Sequence, residues 1–458
     1  MPDRRIVIEG AHVATVDAAG AEFSPGHVVV EDRWIVAAGP GPAPDYRDGV
    51  PAERVDGTGH LVTPGLVNTH HHFYQWLTRG LAQQSGLFEW LKTLYPVWAG
   101  IDEPAVYAAA RASIAALLAS GCATAADHHY MFPGGAGDLL GATVRAAREL
   151  GIRFHPARGS MDLGRSRGGL PADSAVEDTE AALAETERAI GTYHDPAPES
   201  MVRVAVAPCS PFTVTAELLR GAAELARRRG VRMHTHGSET AEEDAYCAER
   251  FGCTPTEYLD RNGWTGRDVW LAHCVHLDGP AIRRIGETGT GVAHCPSSNA
   301  RLGAGIAPVP ELLAAGAPVG LGVDGTASNE AGLLGPELRA AVLMARARRG
   351  ADALTARQAL HAATMGGARC LGRDGEIGSV EPGKLADLAL WRIDGIGHSN
   401  IADPVAALVL GALPPLTLLL VGGSPAVRDG RLTGADEESI ASEASAETRR
   451  LFRRAGLD

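Results

Sequence analysis

Residues 60–72 read HLVTPGLVNTHHH, an apolar, β-branched run that ends abruptly in polar residues. Leu61–His72 has the composition of a buried strand. Side chains two apart on a strand point the same way, so His70 and His72 at its end can reach one ion. A lone His-x-His also suits an ordinary strand end with a packed histidine, and the rest of the chain has to decide.

Seven further runs of this kind follow: Ala123–His129, Ile152–Gly159, Val202–Pro208, Val231–His236, Val269–His273, Gly291–Cys295 and Val319–Asp324. Segments of helical spacing lie between them, among them Thr215–Arg229 and Glu311–Ala315. Repeated strand–helix units predict an α/β fold with a parallel sheet. Eight strands over this length predict a (β/α)8 TIM-like barrel rather than an open doubly wound sheet. No glycine-rich dinucleotide fingerprint follows the first run, which removes the main support for the open form.

Short strand-like runs flank this region, at Arg5–Ile8, His27–Val30 and Trp34–Val36 and again at Leu385–Trp391. Neither end holds enough strands for a sheet alone, so the two are expected to form one small β-sandwich. The expected division is 1–59 for the first part of the sandwich, 60–374 for the barrel and 375–434 for the second part. Residues 435–458 read as a polar surface helix.

The 458-residue chain carries a formal charge of -13, which argues against a nucleic-acid partner and for a small molecule. No stretch is apolar enough to span a membrane, and the start lacks an apolar leader, so a cytoplasmic protein is expected. Seven cysteines, without Cys-x-x-Cys, read as buried thiols rather than a disulfide framework. A homo-oligomer, dimer or larger, is expected.

The strong polar signals fall at the carboxyl ends of the runs, the face on which barrels place their active sites. The first run ends in His70 and His72, and the fifth in His234-Thr235-His236-Gly237-Ser238-Glu239. The sixth ends in His273-Cys274-Val275-His276 and the eighth in Asp324. Imidazoles from three strands and a carboxylate from a fourth, converging on one mouth, point to a metal site. Spacing alone does not choose between His234 and His236.

With Pro64–His72, His236-x-x-Glu239, Ala272–Leu277, His294–Asn299 and Gly322–Gly325, the chain resembles the amidohydrolase superfamily. Within it, the chain is similar to the metal-dependent aminoheterocycle deaminases and triazine hydrolases. The likeness covers nearly the whole chain, including Ile377–Asp387. It implies His70, His72, His236 and Asp324 as metal ligands, Glu239 as catalytic acid/base and His273 beside the reacting water. Asp324 and His273 are expected to share the second proton transfer. The His-x-x-Glu match favours His236 and leaves His234 as a barrel-layer residue. Phe73–Gln75, Arg158–Met161, Pro208–Phe212 and Asp403–Val409 carry the implied substrate, 8-oxoguanine, with uric acid and ammonia as products. The alternative is a triazine hydrolase or a pterin or other purine deaminase on the same scaffold.

Two features depart from the family pattern. Gly237-Ser238 stands where Leu-Ala is common, which bears on the shape of the pocket. The only lysines are Lys92 and Lys384, so the fourth run has none to carbamylate between two metals. One divalent ion per chain is therefore expected, Zn²⁺ first, with Fe²⁺ fitting the same donors. Gln75, Trp76, Tyr130 and Arg158 follow run ends and are expected to touch the heterocyclic substrate, with His128 a further candidate. Ser297 and Asn299 read equally well as turn residues. A different zinc deaminase design, His-x-Glu with Pro-Cys-x-x-Cys, does not fit, because Pro208-Cys209-Ser210-Pro211 lacks the second cysteine.

Overall fold

The stretch at 60–72 is not one strand in the computed structural model, which describes residues 4–457. His60–Pro64 pairs antiparallel with Leu388–Arg392 in the sheet made by the chain ends. Leu66–Asn68 is the first barrel strand, and His71–His72 pairs with Asp324–Gly325 in a short extension. The break falls at Gly65, where an added Cβ would lie 2.5 Å from that of Ala123, so only glycine lets the chain pass so close to the second barrel strand. The boundary expected at residue 60 therefore moves into the run itself.

The other barrel strands are Cys122–His129, Arg153–Ser160, Ala205–Pro208, Arg232–Gly237, Val269–His273, Gly291–His294 and Val319–Leu321. All eight are parallel, and the last closes on the first through Leu321 and Asn68. Cys122–His129 and Arg153–Ser160 are buried at every position, as strands with helices outside and a packed interior must be. The helices between them are capped as their sequences suggest. Thr215 accepts the Leu218 N–H at the start of Ala216–Arg229, and Asp102 accepts that of Ala105 at the start of Glu103–Ala119.

Strands from both chain ends run together as one nine-stranded sheet. Ile6, Ile8, Val28 and Val30 from one end and Leu388, Leu390, Leu418 and Leu420 from the other share an apolar core. A buried ion pair ties this sheet to the barrel: Arg153 meets the Asp387 carboxylate through Nε at 2.9 Å and Nη2 at 3.0 Å. Asp387 also accepts the Gly422 N–H at 2.6 Å.

The tail helix, Glu437–Ala455, is less polar than expected. Ile440, Ala444 and Leu451 are buried along one stripe, while Arg450 and Arg454 reach Asp102 at 2.7 and 2.9 Å. The apolar positions repeat at helical spacing and were masked by the charges between them. The seven cysteines are free and buried. No helix among the described residues is long and apolar enough to cross a membrane.

Candidate active site

Barrel closure pins the first and eighth strand ends together. Asp324 N–H donates to the His70 carbonyl at 3.0 Å, and Val323 N–H to Asn68 Oδ1 at 2.9 Å. At and just past the strand ends Ser238, His273, Cys274 and Asp324 adopt positive φ, at 53°, 72°, 50° and 64°. Such left-handed non-glycine residues are costly and aim side chains that regular strands cannot.

The hydrogen bonds of the histidines assign their tautomers. His72 Nδ1–H donates to the His128 carbonyl and His236 Nδ1–H to the Cys209 carbonyl, each at 2.6 Å. His234 Nδ1–H donates to the Trp270 carbonyl at 2.9 Å, so its Nε2 accepts from His70 Nδ1 at 2.7 Å. The Nε2 atoms of His70, His72 and His236 are thus left bare. Burial drives all three imidazoles below their ordinary range, which keeps them neutral.

These bare nitrogens face one another and a carboxylate. His72 Nε2 lies 3.2 Å from His236 Nε2, and His70 and His72 Nε2 each lie 3.3 Å from Asp324 Oδ1. A tetrahedral ion with bonds of ~2.0–2.1 Å holds its donor atoms roughly 3.3–3.4 Å apart, so the spacing fits one cation. Two opposed lone pairs at such a distance repel unless something positive lies between them. Burial pushes the Asp324 carboxyl up, but the facing imidazoles of His70, His273 and His72 outweigh it and hold Asp324 well below the usual range. Ser298 Oγ–H at 2.5 Å and Ser328 Oγ–H at 3.2 Å steady its Oδ2.

His128 was not read as a ligand, yet it lies with His70, His72 and His236 in one group of donor atoms within 4.8 Å of each other. Its Nε2–H is spent on the Ala207 carbonyl at 2.8 Å, and its Nδ1 is buried without a partner. His234 serves a different end, as the acceptor that orients His70.

Glu239 and His273 stand beside this cluster, with His273 Nε2 3.7 Å from Glu239 Oε2. Burial pushes the Glu239 carboxyl up to about 7. Burial lowers the His273 imidazole, but the facing Glu239 and Asp324 carboxylates outweigh it and leave its pKa raised. Asn299 Oδ1 accepts the His273 Nδ1–H at 2.9 Å, so this residue and Ser298 orient site groups rather than merely turn the chain.

A cavity opens onto His72, His236, Glu239, His273 and Asp324. Gln75 and Tyr130 line it, and both polar atoms of the Gln75 amide are buried without a partner. A Cβ at Gly325 would come within 1.8 Å of Gln75 Oε1, so glycine is what leaves room for that amide. Ser210, Phe212 and Leu302 also line the cavity, as do Leu87, Trp90, Leu91 and Tyr95 from the helix Leu87–Trp98. The sequence reading placed Lys92 in a helical region but gave this helix no part in the site, although its apolar residues recur at steps of three and four.

Two expected substrate contacts lie elsewhere. Arg158 forms a bidentate pair with Glu177 at 2.8 and 2.6 Å, stacks on Phe132 and lines a separate cavity. Trp76 is stacked under the Arg79 guanidinium, 4.2 Å from the ring centre, and does not line the site. Gly237 faces Leu259, and Ser238 Oγ bonds Thr256 at 3.0 Å, so this pair does not shape the cavity wall.

The sequence model of the amidohydrolase family matches residues 61–423. The chain belongs to the amidohydrolase family. This amidohydrolase is 47% identical to the 8-oxoguanine deaminase of Pseudomonas aeruginosa over 93% of this chain and 94% of that one. It is 38% identical to an isoxanthopterin deaminase of an unknown prokaryotic organism over 87% of each chain. Atrazine chlorohydrolase from Arthrobacter aurescens TC1, solved with zinc, shares 35% identity and superposes with a TM-score of 0.91, covering 97% of this chain and 100% of that one. The amidohydrolase is accordingly an enzyme of the hydrolase class.

Proposed function

We propose that this amidohydrolase removes the exocyclic amine of 8-oxoguanine by hydrolysis, giving uric acid and ammonia. The observation that carries the deaminase chemistry is the set of three bare Nε2 atoms and Asp324 beside a buried Glu239, in a cavity where the Gln75 amide lacks partners. The choice of purine is supported by the 47% identity to a protein named for that reaction.

His70, His72 and His236 through Nε2 and Asp324 through Oδ1 would hold one divalent cation, Zn²⁺ first, with Fe²⁺ fitting the same donors. Such an ion supplies water acidic enough to lose a proton near neutral pH. Glu239 takes that proton and delivers it to ring nitrogen N3, a two-way transfer that a pKa near 7 favours. His273, held by Asn299, turns Nε2 toward the oxygen joining C2 and stabilises its charge. Asp324 then moves the second proton from that oxygen to the amine, the C2–N bond breaks and ammonia leaves. Gln75 offers one donor and one acceptor to the ring edge.

The test is steady-state kinetics on the zinc-loaded protein, following ammonia from 8-oxoguanine, guanine, a pterin and amino- or alkylamino-triazines, and chloride from a chlorotriazine. The highest kcat/KM is expected for 8-oxoguanine. The apolar wall of Leu87, Leu91, Phe212 and Leu302 favours a second reading, an alkyl-bearing triazine. A higher kcat/KM there, or with the pterin, overturns the purine assignment. Elemental analysis giving one zinc per chain supports the metal assignment, whereas about two metals, or iron, defeats it.

A further inference from the structure

The segment that presents Glu239 is itself an unusual piece of backbone. Ser238 is left-handed, and the turn Gly237-Ser238-Glu239 leaves the barrel strand before the helix Ala241–Phe251 has begun. The Ser238 carbonyl is occupied by the N–H groups of Val275 and His276 at 2.8 and 2.9 Å. The N–H groups of Ser238 and Glu239 point the other way, into the protein, where no backbone acceptor meets them. Both end on one side chain: Glu243 Oε1 accepts from Ser238 at 3.1 Å and Glu243 Oε2 from Glu239 at 2.8 Å. Glu243 is fully buried. It sits in the first turn of the helix, where Thr240 caps its N–H.

We propose that Glu243 is a positioning residue for catalysis, the clamp that sets the backbone from which Glu239 reaches the cavity. It lines no part of the site and touches neither the cavity nor the candidate ligands. Its hydrogen bonds act on the backbone that carries Glu239, and its charge adds a smaller effect on His273. The inference rests on the reading of Glu239 as the proton carrier. Misplacing a catalytic group by ~1 Å costs up to about 10²-fold in rate, so a loosened turn appears in kcat rather than in metal binding.

Glu243→Gln retains the size of the side chain but sets an amide N–H₂ against one of the two N–H donors. Glu243→Leu removes both acceptors, and Glu243→Gln serves if that variant does not fold. The measurement is a double-mutant cycle with Glu239→Gln on zinc-loaded protein, with zinc content, Tm and the separate kcat and KM values. Glu243→Gln is expected to lower kcat roughly 10–100-fold, with KM within about twofold and zinc unchanged. In the Glu239→Gln background the same change is expected to cost less than about twofold, since nothing remains to be aimed. An equal loss in both backgrounds, an unchanged kcat or a loss of zinc overturns the positioning role. Near-normal turnover in Glu239→Gln itself instead overturns the assignment of Glu239, a separately readable failure.

Discussion

The two ends of the barrel both bury charge, and they do so on opposite terms. At the sheet end, Arg153 and Asp387 are 0% and 2% exposed, and their bonds form a closed account, with both carboxylate oxygens and the guanidinium occupied. At the rim, Asp324 is matched by neutral histidines whose Nε2 lone pairs face inward, the Gln75 amide is idle and four residues hold left-handed backbone. Buried polar groups are normally satisfied, so a closed set reads as architecture and an open one as a place for something absent from the chain. The comparison teaches that the balance of partners, more than the number of buried charges, marks the functional end.

The contrast breaks most readily at the metal. His236→Ala is expected to lose both bound zinc and all measurable turnover, read by elemental analysis and ammonia release; full zinc with activity retained would remove His236 from the site. Glu239→Gln is expected to keep zinc and lose roughly 10²–10⁴-fold in kcat. Glu239 must be ionised to take a proton, and its carboxyl stands at about 7. The wild-type kcat/KM should therefore decline as pH falls through about 7, and a decline beginning only near the ordinary carboxyl range contradicts that reading.

At the closed end the loss falls on stability. Asp387→Ala strands the buried Arg153 guanidinium and is expected to cost about 3–5 kcal/mol in denaturant unfolding, with the kinetics of folded protein unchanged. A cost below about 1 kcal/mol would mean that water or another group already serves Arg153. Gln75→Leu sharpens the open end. Removing one neutral hydrogen-bonding group should lower kcat/KM roughly 3–10-fold with zinc unchanged. Smallest of all is Arg158→Met, expected to change KM less than about twofold, because Glu177 already holds the guanidinium outside the cavity. A tenfold rise in KM there restores the substrate contact expected from the sequence.

Much of the rim was legible in the sequence, because chemistry that needs several imidazoles and carboxylates at strand ends leaves widely spaced polar marks in apolar runs. His70, His72, Glu239, His273 and Asp324 could all be marked in this way. The strand count was legible for the same reason, since the runs and the helices between them differ in period. Other features were hidden because they depend on partners remote in sequence. Arg158 at a run end looks available until Glu177 is seen across a loop, and Leu61–His72 looks continuous until Ala123 crowds Gly65.

The sequence by itself determined the class of fold, the family motifs and the kinds of donor available, since these follow from periodicity and residue type. Only the tertiary structure decided what each donor does. His234 and His236 are both inward-facing histidines on one strand. The Trp270 carbonyl makes the first an acceptor for His70, and the Cys209 carbonyl leaves the second with a bare Nε2. A histidine's tautomer is set by its hydrogen-bond partners, and those partners come from other strands.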